Sequence, residues 1–286
     1  MPALGRIWDA PVEPLDLDRL VADTDAVFLA LPDAVAAEIG PALASRGRRV
    51  FDLSGAFRLR DDTLRRKWYP DTKGDARHLH STYGLTEHNR TALKDASFVA
   101  CAGCYPTAAI LSLRPLVAAG LIEGGVIVDA KSGVSGAGKA PSERTHFSEC
   151  YGSVAAYGVF AHRHAAEIEQ EVGASVTFVP HLVPLDRGIL ETIYARLKPG
   201  VGEEAIGAVL RSAYARAPFV RLTGADLPEI KHVAHTNFCD IGWRVDRSGG
   251  QLVMVAVIDN LVKGAAGQAI QNFNVAYGFD ERLGLD

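Results

Sequence analysis

The sequence predicts an α/β protein, with a parallel-sheet domain joined to an α+β domain whose sheet is largely antiparallel. Three observations predict it. Strand-sized apolar runs alternate with helix-period segments over the first 120 residues, the pattern of a parallel sheet. After Gly120, successive runs alternate apolar and polar residues, as strands do when one face is packed and one is free. No internal repeat or low-complexity tract interrupts the chain, so the two parts are expected to be closely joined.

AVFLAL at 26–31 is the first strand, stopped by Pro32-Asp33. VAAEIGPALASRG has helical spacing and ends near Gly47, glycine being a common helix terminator. RRVFDLSGAFRL reads as a second strand running into a loop, and SFVACAGC as a third. YPTAAILSLRPLVAAG is a helix with Gly120 near its C-terminus. GVIVDAKSGVSGAGK is a strand entering a Gly/Ser loop, and HAAEIEQEVG a short helix. SVTFVPHLVPLDRGILETIYARLK holds two alternating strands, expected to be antiparallel neighbours. The helix EEAIGAVLRSAYARA precedes a hairpin of NFCDIGWRVD and QLVMVAVIDN, turning at Arg247-Ser248-Gly249-Gly250. AAGQAIQNFNVAYGF closes the chain as a helix.

Composition narrows the function. The chain has 286 residues, enough for a sizeable core, and is 48% apolar and 22% charged, ordinary values for a soluble globular protein. A net charge of −4 gives no general attraction to nucleic acid or anionic membrane, so neither is an expected partner. An anionic ligand must be held by local Arg or Lys, helix N-termini or backbone amides. No apolar run has the length of a membrane span. The opening MPALGRIWDAPVEPLD lacks the basic-then-apolar order of a signal peptide. Four cysteines in a chain of this length make no disulfide scaffold, and a reducing cytoplasm is the expected compartment.

CAGCYPTAA at 101–109 raises the chemical question. Cys104 stands where a strand stops, and Pro106 suits a first helical position because its missing N–H is needed by nothing there. Tyr105, before a proline, is pushed toward extended geometry. Cys104 then precedes the free amides of a helix, which favours the nucleophilic thiolate. Three readings remain open on these residues: a lone nucleophile, a redox pair with Cys101, and structural or metal-bound cysteines. A second C-x-x-C to complete a metal site is absent.

A cysteine nucleophile needs an acid/base. His162-Arg163-His164 precedes a helix, and in extended geometry both imidazoles project to one side. A solvated helix start is the plain alternative for these residues. His78, His80, His181 and His232 read as surface or packing residues.

Taken together, FDLSGAFRL, GCYPTAA, VDAKSGVSGAGK, YGVFAHRHAAEIEQE, FVPHLVPLDRGIL, NFCDIG and IDNLVKGAAGQAIQN closely resemble the N-acetyl-gamma-glutamyl-phosphate reductases of the semialdehyde dehydrogenase superfamily. The resemblance is collinear from about residue 25 to the end. It implies NADPH-dependent reduction of an acyl phosphate to an aldehyde through a thioester, in arginine biosynthesis, by a homodimer or homotetramer without a metal. It implies Cys104 as nucleophile, with His164 as acid/base and His162 as its possible partner. Leu31, Pro32, Ser54, Gly55, Ser132, Gly133 and Asn260 are implied at the cofactor. Arg58, Arg163 and Lys263 are implied cations for substrate phosphate or carboxylate. Residues 1–103 with 264–286 form the implied NAD(P)-binding domain, and residues 104–263 the catalytic and dimerisation domain.

The chain departs from that pattern at its start. The family opens with a strand, a Gly-rich turn and a helix that seats the cofactor pyrophosphate. Residues 1 to 20 hold one glycine, Gly5, so the Rossmann-like sheet is expected to be incomplete, without its first βαβ unit. Ala102 also replaces the proline that often precedes Gly-Cys in the family. Two other functions remain open: the lysine-pathway relative that reduces a carrier-bound aminoadipyl phosphate, and a non-catalytic binding or assembly subunit.

Overall fold

The computed structural model describes residues 6–8, 10–72, 81–138, 140–246 and 250–285. His78, His80 and the first three residues of the expected 247–250 turn lie outside them. The first sheet has four parallel strands: β1 (Ala26–Leu29), β2 (Arg49–Asp52), β3 (Thr82–Gly84) and β4 (Phe98–Cys101), in the order β1-β2-β4-β3. Both faces are covered, because side chains alternate along each strand. Val50, Phe98 and Ala100 join Ala37, Ile39 and Leu43 of α2 (Asp33–Ser45), beside which α1 (Leu17–Asp23) lies. Phe51, Val99 and Cys101 join Leu93 and the C-terminal helix residues Ala269 and Val275. The short α3 (Asp62–Trp68) and α4 (Thr86–Lys94) complete this part.

From α5 (Cys104–Ala118) the chain enters a second sheet. Its strands are β5 (Ile122–Gly133), β6 (Ala155–Ala156), β7 (Val176–Val183), β8 (Ile189–Leu197), β9 (Val220–Gly224), β10 (Cys239–Val245) and β11 (Gln251–Ile258). They lie in the order β6-β7-β5-β8-β11-β10-β9. The pairs β5/β7 and β9/β10 are parallel and the others antiparallel. One face packs α5, α7 (His164–Val172) and α8 (Glu203–Tyr214) around Ile110, Leu113, Ile168, Ile193 and Leu210, while α6 (Phe147–Cys150) lies in the loop before β6. The final helix, α9 (Gly267–Tyr277), returns to the first sheet after a π-helical turn at Val262–Ala266. No helix among the described residues is long and apolar enough to cross a membrane.

Three local expectations change. The alternating segments that became β7 and β8 are not paired with each other; β5 lies between them. Period-two alternation tells which face a residue occupies and says nothing of which strand lies alongside. The helix after β4 starts at Cys104, two residues before Pro106. Pro106 is still in the first turn, where an N–H has no intrahelical acceptor. Tyr105 is consequently helical rather than extended, and its ring is buried against Phe178.

Lys263 is the third. Its side chain is fully buried, with Nζ 2.6 Å from Glu87 Oε1 and 2.7 Å from Gln271 Oε1. Burial opposes ionisation of Glu87, yet Lys263 and Gln271 outweigh it and hold the carboxyl below its usual range. The ammonium is therefore engaged in tying α9 to α4, not free for a substrate anion. Removing one member of a buried pair strands the other charge at a cost of ~3–5 kcal/mol. Lys263→Met should lower the denaturant midpoint accordingly, and Lys263→Met with Glu87→Gln should recover most of the loss. A raised KM at unchanged stability would return Lys263 to the substrate.

Candidate active site

Parallel strands deliver the loops at their C-terminal ends to one edge, where an open α/β sheet takes its ligand. Here Leu31 and Pro32 follow β1, Ser54 and Gly55 follow β2, and Cys104 follows β4. The second sheet adds Ser132 and Gly133 at the end of β5, and Asn260 just past β11.

Cys104 is the first residue of α5, with Gly103 as an extended N-cap. The glycine is needed for close approach. A Cβ on Gly103 would lie 2.8 Å from both Arg58 Nη1 and His164 Nε2, and 3.1 Å from Glu167 Oε2. A Cβ on Gly264 would likewise lie 2.8 Å from the Cys104 Cβ. Cys104 thus has the Gly264 backbone against its Cβ, and a cation, an imidazole and a carboxylate converge on the glycine before it.

The resting thiol differs from expectation. Cys104 keeps some solvent contact, but burial pushes its thiol up to about 11, with the Tyr105 amide and Arg58 pulling the other way. Desolvation outweighs the helix start, so Cys104 rests as a thiol and needs a base. Cys101 is buried within β4, its thiol pushed up to about 12 by burial, and its Sγ accepts from Asn272 Nδ2 at 3.7 Å.

The two imidazoles do meet, though not by an extended backbone. Arg163 is helical at φ −56° and ψ −28°, and the His162 and His164 rings lie 4.7 Å apart. His162 Nδ1 accepts the His164 amide at 3.1 Å. Burial and then Arg163 pull His162 down to about 4. His164 is held well below its usual range by burial and by its cationic neighbours, and its Nδ1 has no hydrogen-bond partner among the described residues. Both rings are neutral near pH 7 and able to accept a proton.

The expected cations are placed differently. Arg58 is buried, donating from Nε to the Cys101 carbonyl and from Nη2 to the Leu53 carbonyl, each at 2.8 Å. Its Nη1 lies 3.5 Å from Glu167 Oε2. Arg163 pairs with Asp33 at 2.6 Å and covers the Tyr69 ring at 5.2 Å. Asp33 also accepts the Gly55 amide at 2.7 Å, so this pair joins the loops after β1 and β2 to the histidine segment.

Of the expected cofactor residues, Leu31 and Pro32 keep solvent contact, and the others shape the loops. Ser54 donates to Asp52 at 2.7 Å, and a Cβ on Gly55 would run into the Tyr69 ring. Ser132 is buried, and Gly133 passes so close to the Leu185–Arg187 backbone that a Cβ would meet it at 2.9 Å. Asn260 accepts the Gly188 amide at 2.7 Å and donates to Ser135 Oγ at 2.9 Å. These glycine-lined strand ends, with the Asn260 carboxamide between two loops, fit the nicotinamide end of a dinucleotide.

Glu167 is the residue at the candidate site that motif reading missed. Its Oε1 accepts from the Gly103 amide at 2.8 Å and the Tyr83 hydroxyl at 2.7 Å. The signal was present in His-Ala-Ala-Glu, since positions three apart share a helix face. Among the described residues no group of three or more His, Cys, Asp or Glu is placed to hold a metal ion.

Residues 104–260 match the model described as semialdehyde dehydrogenase, dimerisation domain, and residues 1–96 that described as semialdehyde dehydrogenase, NAD binding domain. An N-acetyl-gamma-glutamyl-phosphate reductase of Geobacillus thermodenitrificans is 46% identical over 293 residues, covering 99% of this chain and 85% of its own. Another from Pelotomaculum thermopropionicum is 47% identical over 283 residues, covering 96% and 81%. Among solved structures, aspartate semialdehyde dehydrogenase II from Vibrio cholerae has a TM-score of 0.70 at 17% identity, over 90% of this chain and 81% of that one. The Candida albicans aspartate semialdehyde dehydrogenase with NADP has a TM-score of 0.63 at 16% identity, over 90% and 78%. At such identities the likeness is one of fold. On these family-model matches and relatives, the chain belongs to the N-acetyl-gamma-glutamyl-phosphate reductases of the semialdehyde dehydrogenase family.

Proposed function

We propose that the chain reduces N-acetyl-γ-glutamyl phosphate to N-acetyl-glutamate 5-semialdehyde with release of phosphate, in arginine biosynthesis, using NADPH. The observation that carries the chemistry is a cysteine at a helix start, with a neutral buried imidazole so close to the preceding glycine that a Cβ there would meet it. His164 accepts the Cys104 proton as sulfur attacks the acyl carbon. The carbon–oxygen bond to phosphate breaks, the proton leaves with phosphate, and a thioester remains on Cys104. The amides at the start of α5 are placed to stabilise the oxyanion of each tetrahedral stage. NADPH, when bound, supplies the hydride that converts the thioester to the aldehyde. Cys104 departs as thiolate and is reprotonated through His164, with His162 alongside.

Leu31, Pro32, Ser54, Gly55, Ser132, Gly133 and Asn260 form the proposed cofactor wall. Residues 1–103 with 264–286 are taken as the NAD(P)-binding unit and 104–263 as the catalytic and dimerisation unit of a cytoplasmic homodimer or homotetramer. Arg163 is the cation proposed for the substrate phosphate, while Arg58 holds the nucleophile's turn.

Steady-state formation of NADPH from semialdehyde, phosphate and NADP⁺ tests the activity directly. Cys104→Ser should abolish it in a folded protein, whereas Cys101→Ser should change it only modestly. Equal loss from both would make the two cysteines a working pair and sink the lone-nucleophile account.

His164→Ala should reduce kcat by ~10²–10⁴-fold with a small change in KM. A defect wholly in KM would make the residue a binding group.

Alkylation of Cys104 by iodoacetamide in the free protein should accelerate by about tenfold per pH unit from neutrality upward, because thiolate is the reacting form and the thiol is held high. A rate already level at neutral pH would show a resting thiolate and contradict the role given to burial.

A further inference from the structure

A pocket of about 270 Å³ lies against His162, with Tyr157 and Leu182 among its other walls. Gly136 and Ala137 also line it. A Cβ on Gly136 would come 2.8 Å from Ser132 Oγ and 3.6 Å from Asn260 Nδ2, so this wall backs onto the proposed cofactor residues. Tyr157 links the pocket to the nucleophile: its hydroxyl lies 3.1 Å from that of Tyr105, the residue after Cys104. The pocket therefore borders both the wall proposed for the hydride donor and His162, and Tyr157 connects it to the residue that follows Cys104.

Arg144 is the cation among its described lining residues. Its guanidinium lies 5.7 Å above the Tyr157 ring, and it has no acidic partner within salt-bridge distance among the described residues. Ser142 and Thr145, hydroxyl-bearing and bonded to each other, stand next to it. Arg144 also borders a wider hollow of about 460 Å³, but Glu143 and Glu149 line that side, and carboxylates there repel an anion. The inner pocket is the side on which the guanidinium can serve a negatively charged ligand.

We propose that this pocket is the subsite for the part of the substrate remote from the acyl phosphate, and that Arg144 binds its α-carboxylate. The inference rests on the reaction proposed above. With the acyl carbon at Cys104, the remaining chain of the substrate passes Tyr157 and His162, and its carboxylate meets the guanidinium. A planar, always charged donor fork suits a carboxylate. Arg144 is then a specificity determinant, selecting substrates by a group that takes no part in bond making.

The test compares two aldehydes in the NADP⁺- and phosphate-dependent reverse reaction: N-acetyl-glutamate 5-semialdehyde, and 4-acetamidobutanal, which lacks the α-carboxylate. Arg144→Gln should raise KM for the first by roughly 10- to 50-fold, leave KM for the second unchanged, and preserve the alkylation rate of Cys104. Arg144→Lys should lie between. Equal changes for both aldehydes, no change for either, or a rise confined to the KM for phosphate would overturn the assignment. A wild-type protein that oxidises neither aldehyde would instead overturn the proposed reaction, and the subsite with it.

Discussion

The buried carboxylate of Glu167 determines where the reacting groups stand. One oxygen accepts the Gly103 amide and the Tyr83 hydroxyl, and the other faces Arg58. Arg58 in turn holds the carbonyls that end β2 and β4. A fully buried charge is tolerated only with such partners, so the turn before Cys104, the loop after β2 and helix α7 are fixed as one piece. His164 is on the same helix, three residues earlier, and its ring moves with Glu167. Gly103 is the condition for all of it, because any Cβ would push apart the three side chains that converge there.

The two sheets are joined at this same point by the end of the chain. Helix α9 packs on the first sheet through Ala269 and Val275, yet its Gln268 accepts the Ala102 amide and donates to Thr107 Oγ1. Those residues flank Cys104 on either side. Asn272, one turn on, reaches the Gly84 carbonyl and Thr86, tying β3 and α4 to the same helix. The nucleophile's turn is thereby braced from α7 on one side and α9 on another. The Lys263–Glu87 pair secures the entrance to α9.

Much of this is legible in the sequence. The run FVAC is apolar on both faces and announces a buried strand, RVFD is buried over its last three residues, and AVFL is only partly buried; glycine-bounded helical periods separate them. Cys104 stood out because a helix start, a neighbouring glycine and a proline coincide there. What stayed hidden depends on partners far apart in sequence. β3 is only Thr82–Gly84, too short to show a period, and it exists because β4 offers it an edge. The insertion of β5 between β7 and β8 leaves no trace in the alternation of any of them. Arg58 and Lys263 read as free cations since burial of a charge is visible only once its carboxylate is in place.

Apart from the Arg58–Glu167 pair, burial keeps the titratable groups beside the sulfur uncharged. The Cys104 thiol is held at about 11, His162 at about 4 and His164 well below its usual range. Glu191, buried in β8 without a hydrogen-bond partner among the described residues, is pushed well up by burial. For His162 the sign follows from linkage: the unfolded imidazole titrates near 6.5 and the folded one at about 4. Its neutral burial costs stability only as pH falls from the first value toward the second. Near neutrality the arrangement is therefore stable but chemically quiet. An acyl phosphate changes the balance, because its negative charge beside the histidines favours imidazolium. The proton then has reason to leave sulfur for nitrogen at the moment an acyl carbon is present to be attacked. In the reaction proposed above, burial of the neutral pair would make thiolate formation a consequence of substrate binding, and the site's reactivity would be conditional on the anion it receives.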